Sequence, residues 1–144
     1  MLPKINAMVL EGVSPDNPTH HYLTCCMIMT ASDLSDQTKD WVNAKKIAEL
    51  VYNEFFTQGD LEKAQLSSPL VPMFDRDLRH ELPKLQVGFC QGVCLPVYRA
   101  LGQLNTGLKP LEDAVLDNRD KWDELAKQNT DPEEDSKNKV TRNL

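Results

Sequence analysis

Carboxylates are plentiful along these 144 residues, but histidines and cysteines, the other common metal ligands and nucleophiles, number only three and four. The stretch "MTASDLSDQTKDW", Met29 to Trp41, ends an apolar run on Asp33. That carboxylate suits either an ordinary helix end or one arm of a metal site. A catalytic zinc takes about three protein ligands from His, Asp, Glu or Cys, and the only histidines are His20, His21 and His80. Were His20 and Asp33 on one helix, they would stand roughly 20 Å apart at about 1.5 Å per residue. His80 falls in a separate polar stretch, so Asp33 lacks obvious partners within the chain. Cys25 and Cys26 are adjacent in an apolar run, and Cys90 and Cys94 are four apart. On a helix the latter spacing puts both thiols on one face and admits a metal or redox pair. No CxxC or Cys/His quartet at zinc-finger spacing occurs, so the thiols read as inert members of a helical core. There is no GxSxG elbow and no positioned Cys/His or Ser/His pair, and the glycines are scattered singly. From the residues alone, no catalytic group is identified.

The elements that would position Asp33 are helical. Residues 1–19, with Pro3, Gly12, Pro15 and Pro18, read as an irregular lead-in holding a short helix over Ile5–Leu10. "HHYLTCCMIMTASDL" is apolar nearly all round and predicts a buried helix. Trp41, Ala44, Ala48, Val51 and Phe55 recur at helical spacing over Trp41–Phe56, widened by Ile47 and Leu50, and Gly59 reads as the stop. "SSPLVP" predicts a loop. A third helix starts near Pro83, with Leu85, Phe89, Val93, Val97, Leu101 and Leu104 on one face and a kink at Pro96. "NTG" ends that pattern. A fourth helix follows Pro110, its inward residues being Leu111, Ala114, Val115, Trp122 and Leu125. Tyr22, Trp41 and Trp122 read as core aromatics. From Asn129 to the end the chain has almost no apolar content and predicts a disordered polar tail, 129–144. Nothing alternates with period two, so the fold class is all-α, in one domain.

Composition narrows the function classes. A net charge of -6 argues against a nucleic-acid surface. No apolar run reaches the roughly 18 residues of a membrane span. The start lacks a signal peptide's basic and apolar regions, so a cytoplasmic setting is expected.

Taken in order, "MTASDLSDQTKDW", "KKIAELVYNEFFTQGDLEKA", "MFDRD" and "ELPKLQVGFCQGVCLPVY" resemble the class I 3′,5′-cyclic-nucleotide phosphodiesterases. The likeness is to the GAF-containing branches that act on cGMP, or on cGMP and cAMP together, and it runs from about His20 to Gln128. "RHELPKLQVGF" and "NRDKW" are similar to the cGMP-specific, photoreceptor and dual-specificity branches, and "DLSDQTK" to the cGMP-stimulated branch. It implies the C-terminal part, residues 20–128, of a helical catalytic domain. In that family two divalent metals, Zn2+ with Mg2+ or Mn2+, are held by histidines and an aspartate from an earlier portion, plus one later aspartate. Asp33 matches that later ligand. The earlier ligands and the general-acid histidine have no counterpart here, so the resemblance implies a chain inactive alone that needs the missing N-terminal half.

The resemblance also assigns a purine pocket. Gln86 matches the glutamine that recognises the base; a carboxamide offers a donor and an acceptor to guanine, and flipped, to adenine. Phe89 matches the phenylalanine that stacks on the purine, and Val51 the apolar residue opposite it. Gln37, Tyr52, Phe55, Met73 and Leu85 match pocket-wall positions, and 57–80 the mobile lid. Tyr52 is placed to hold the Gln86 amide or leave it free. Departures from the family pattern are Ser32, where cysteine is usual, and Gly92 in the pocket helix, where a larger residue is common. The chain ends "TRNL" without a prenyl-acceptor cysteine, which favours a soluble protein. The expected partners are a cyclic nucleotide and, in the full-length protein, a second copy. The alternative is a truncated, non-catalytic relative acting as a partner-binding helical module.

Overall fold

Six α-helices, with 3-10 turns and one π-turn among the links between them, lie within residues 2–65 and 71–130, the part of the chain described by this computed structural model. No strand occurs among the described residues, as the missing period-two pattern predicts. Helix α1, Leu2–Glu11, buries Ile5 and Met8 and packs on the later helix Leu95–Leu104. The lead-in is therefore more helical than expected. Pro3 stands in the first turn, where its missing N–H costs nothing, and Gly12, at φ 92°, lets the chain leave the helix. Helix α2, Pro18–Asp33, is capped by the Asn17 side chain, which accepts from the backbone N–H groups of Thr19 and His20.

The buried helix expected over this stretch is buried on one stripe only. Leu23, Met27 and Ala31 face the core at spacings of four, while Ile28 and Met29 are exposed. Tyr22, expected in the core, is 67% exposed. Cys25 is likewise exposed and Cys26 half-buried, so the reading of buried thiols holds for Cys90 and Cys94 alone. An apolar composition all round a helix signals burial only when something covers every side, and nothing among the described residues covers this one.

A 3-10 turn, Ser35–Thr38, leads into α3, Trp41–Gln65. Its core stripe is Ala44, Ala48, Tyr52, Phe56 and Gly59. The helix runs through Gly59 instead of stopping there. The glycine serves a close approach: a Cβ would lie 1.9 Å from the carbonyl oxygen of Phe74. Most of the "SSPLVP" loop lies outside the described residues. From Val71 onward, 3-10 turns at Pro72–Phe74 and Arg76–Glu81 bring the chain back along α3. Lys63 holds Asp75 at 2.6 Å and Asp77 at 3.0 Å, and Arg76 reaches Asp60 at 2.8 Å.

Helices α4, Leu82–Phe89, and α5, Leu95–Leu104, are joined by a π-turn over Cys90–Cys94. Of the single expected face, Val97 and Leu101 are buried and Leu85, Phe89 and Leu104 half-buried against the core, and Val93 alone falls outside it. A π-turn holds more residues than an α-turn, so it rotates the stripe. Within the turn Cys90 and Cys94 are buried and Val93 is exposed, and beyond it Leu95, Val97, Tyr98 and Leu101 are buried. Pro96 lies in the first turn of α5, just after the point where the ladder yields. Helix α6, Lys109–Thr130, packs on α4 and α5. It buries Val115, Asn118, Trp122 and Ala126, with Leu111, Ala114 and Leu125 half-buried. The expected polar tail begins inside α6, and its remainder lies outside the described residues. Trp122 meets Trp41 edge-on at 4.9 Å.

Candidate functional site

One largely apolar cavity of about 460 Å³ opens where four segments meet. The end of α2 and the turn after it bring Asp33, Leu34, Asp36 and Gln37; α3 brings Ala48, Val51, Tyr52 and Phe55. Val71, Pro72 and Met73 form another side, and α4 supplies Leu85, Gln86 and Phe89. Every residue that the resemblance assigns to the site, Asp33, Gln37, Val51, Tyr52, Phe55, Met73, Leu85, Gln86 and Phe89, lines this one cavity. The helical spacing explains the pairings. Gln86 and Phe89 are three apart on α4, and Val51 and Phe55 four apart on α3, so each pair shares a face. The size suits a small-molecule ligand.

Polar groups inside are sparse. Gln86 is 3% exposed and its carboxamide bonds no other described residue, which leaves it open to the cavity. Gln37, 4% exposed, donates from Nε2 to Asp36 Oδ2 at 2.7 Å, and Cys90 Sγ donates to its Oε1 at 3.7 Å. Tyr52 shares the wall with Gln86, but no hydrogen bond joins them among the described residues. Burial pushes the Tyr52 hydroxyl above its ordinary pKa, so it stays a neutral donor at pH 7. A hydrogen bond with Cys90, then burial, pushes the Cys94 thiol up in the same way. The Cys94 thiol is therefore not set up as a nucleophile. Cys90 shifts the other way, its thiol lowered by the hydrogen bond with Cys94 and by the charge of Arg119, but it is fully buried.

Asp33 is exposed at the cavity mouth, at the C-terminal end of α2. There the helix dipole disfavours a carboxylate and no orphan N–H awaits a cap, so helix capping does not account for it. Nor does the donor set complete a metal site. Among the described residues no three His, Cys, Asp or Glu side chains converge. One carboxylate, with Asp36 turned to Gln37, does not fit a two-metal centre by itself.

Residues 2–115 match the family profile described as 3'5'-cyclic nucleotide phosphodiesterase. The chain belongs to that family. Among its phosphodiesterase relatives are the cGMP-specific 3',5'-cyclic phosphodiesterases of Drosophila melanogaster and Drosophila pseudoobscura pseudoobscura. Each is 49% identical over 104 residues, which is 72% of this chain and 9% of the relative. Among solved structures, LmjPDEB1 in complex with IBMX superposes with a TM-score of 0.80 at 34% identity, over 88% of this chain and 38% of that one. The chain therefore spans a minor part of the phosphodiesterases it matches.

Five lining residues escaped the sequence reading: Leu34, Asp36, Ala48, Val71 and Pro72. Each is a near neighbour, in sequence or one helical turn away, of a residue that was assigned. That proximity is the signal that could have found them.

Proposed function

We propose that residues 20–128 form the C-terminal part of the catalytic domain of a cytoplasmic, metal-dependent 3′,5′-cyclic-nucleotide phosphodiesterase, with 129–144 a polar tail. The complete enzyme hydrolyses cGMP, and by the same amide cAMP, to the 5′-nucleotide in signal transduction. This chain contributes the purine pocket and one metal ligand, Asp33, toward the Zn2+ and the Mg2+ or Mn2+ of the complete site. The observation that carries the reading is the cavity itself. Two helices, α3 and α4, deliver an apolar side chain, an aromatic ring and a buried carboxamide to one apolar space. A purine needs apolar contact on its two faces and paired donor and acceptor at its edge. Phe89 and Val51 supply the first, and Gln86 the second. Bond cleavage needs ligands that these residues do not provide, so the role of this chain is recognition.

The test is a titration of the purified chain with IBMX and cGMP, read by nuclear magnetic resonance. Both ligands should shift the resonances of α3 and α4. Phe89→Ala should weaken IBMX by about tenfold or more, because an aromatic stack and its buried area are lost. The chain alone should not turn over cGMP at any divalent-metal concentration. Turnover that disappears in Asp33→Ala would defeat the claim of recognition only, and absence of any ligand response would defeat the pocket.

A further inference from the structure

Asn118 lies outside the cavity, on the core stripe of α6 between Val115 and Trp122, and is 2% exposed. A leucine would fill such a position without the cost of burying an amide. What an amide adds is two N–H donors on one nitrogen, and both are used. Asn118 Nδ2 donates to the Gln37 carbonyl at 3.0 Å and to the Lys39 carbonyl at 2.8 Å. It thereby grips, from behind, the turn on which Asp36 and Gln37 stand. The Gln37 side chain faces the cavity, tied to Asp36 on one side and to the Cys90 thiol on the other.

We propose that Asn118 is a positioning residue for the purine pocket: through the backbone of Gln37 it sets the orientation of the pocket's polar end. The proposal rests on the purine-pocket reading above. It also gives "NRDKW" a role. Trp122, one turn further along α6, packs on Trp41 at 4.9 Å, and Lys121 lies over the same ring at 6.0 Å. One helix thus clamps the whole link between α2, which ends on Asp33, and α3, which carries Val51. The two grips differ in kind. Asn118 holds carbonyls at the pocket, whereas Trp122 holds a ring beyond it.

That difference makes the test. In the isotopically labelled full chain, the two Asn118 side-chain amide protons should exchange slowly with solvent. Asn118→Leu keeps the shape and removes both donors. It should shift the Gln37 side-chain amide and the backbone resonances of Asp36 to Lys39, and weaken IBMX by about tenfold, the scale of one or two lost hydrogen bonds. Trp122→Phe removes packing from the same helix and should change IBMX affinity by less than about twofold, even at an equal or greater loss of Tm. Equal weakening by the two substitutions would make Asn118 merely structural and overturn the proposal. So would Asn118→Leu with unmoved Gln37 resonances. If that variant does not fold, the native protein decides: fast amide exchange at Asn118 overturns the assignment, and slow exchange supports it. Should the unmodified chain fail to bind IBMX, the purine reading fails, and the Gln37 resonances still judge Asn118.

Discussion

A single buried hydroxyl joins α5 to α2. Tyr98 donates to the Ala31 carbonyl at 2.7 Å, two residues before Asp33. Burial pushes its pKa from 10.0 up to about 12. A raised value means that the native state keeps a proton the unfolded chain gives up, so the stability it contributes is intact below pH 10 and is lost as pH rises toward 12. A shift of that size corresponds to about 3 kcal/mol over the whole window. Tyr98→Phe should cost about 1–2 kcal/mol at neutral pH by stranding the Ala31 carbonyl. Because phenylalanine does not titrate, the gap between native and variant should narrow as pH climbs from 10 and reverse sign by about pH 12, where the alkaline loss exceeds the cost of the substitution. Tyr52 is raised in the same direction, again chiefly by burial, so the variant keeps some alkaline loss of its own. Urea denaturation at several alkaline pH values measures the gap, and a gap constant with pH would sink the argument. The sequence reading did not single out this tie, because its acceptor lies 67 residues away. Asn118 was missed for another reason: on an apolar stripe its polarity reads as a lapse in the pattern until the carbonyls it holds are seen. Asp33, Gln86 and Phe89 were legible because each sits inside a quoted motif whose neighbours carry the family likeness.

Helical periodicity located α3, α4, α5 and α6 well, since apolar spacing of three and four is a local property. It could not locate departures from that spacing. The π-turn at Cys90–Cys94 rotates the buried face, which is why Val93 was expected inside and is not. Gly59 shows the same limit. Glycine after a helical pattern predicts a stop, yet here it serves contact with a returning segment. Gly59→Ala sets two effects against each other. Alanine gains about 1 kcal/mol of helix propensity. Its Cβ, however, would sit 1.9 Å from the Phe74 oxygen, and the backbone there must move. Overpacking costs about 1–3 kcal/mol, so the clash should win and the variant should unfold at lower urea. The ion pairs of Lys63 and Arg76 will not restore the contact. They are largely exposed, and such pairs are worth about 0–1 kcal/mol each. Because Phe74 follows Met73 directly, the displacement should also reach the pocket wall and shift the Met73 methyl resonance. A variant more stable than the original, with Met73 unmoved, would show that the returning segment yields freely.

The outward faces of the molecule carry several large apolar residues. Tyr22, Ile28 and Met29 stand exposed on α2, and Val42 and Leu50 on α3. Scattered apolar residues on a surface are ordinary, but three within two turns of one helix make a patch of the kind that seeks a partner. The chain covers 38% of the solved phosphodiesterase it matches, and the remainder of such a domain would have to pack somewhere. The α2 face is also adjacent to Asp33, at the end of the same helix, where the proposed site lacks its other ligands. Both deficits therefore lie along one element. Expressed alone, the chain should associate with itself through this face. Light scattering after size exclusion should report species larger than a monomer, increasing with concentration. Replacing Tyr22 and Met29 with lysine and Ile28 with glutamate should return a monomer of unchanged helix content, because none of the three is buried. The same three changes should leave IBMX affinity within about twofold, since they remove exposed apolar area and no pocket wall. A native chain that stays monomeric and unfolds cooperatively would mean that the α2 face needs no cover. The absent ligands would then have to approach Asp33 by some other surface.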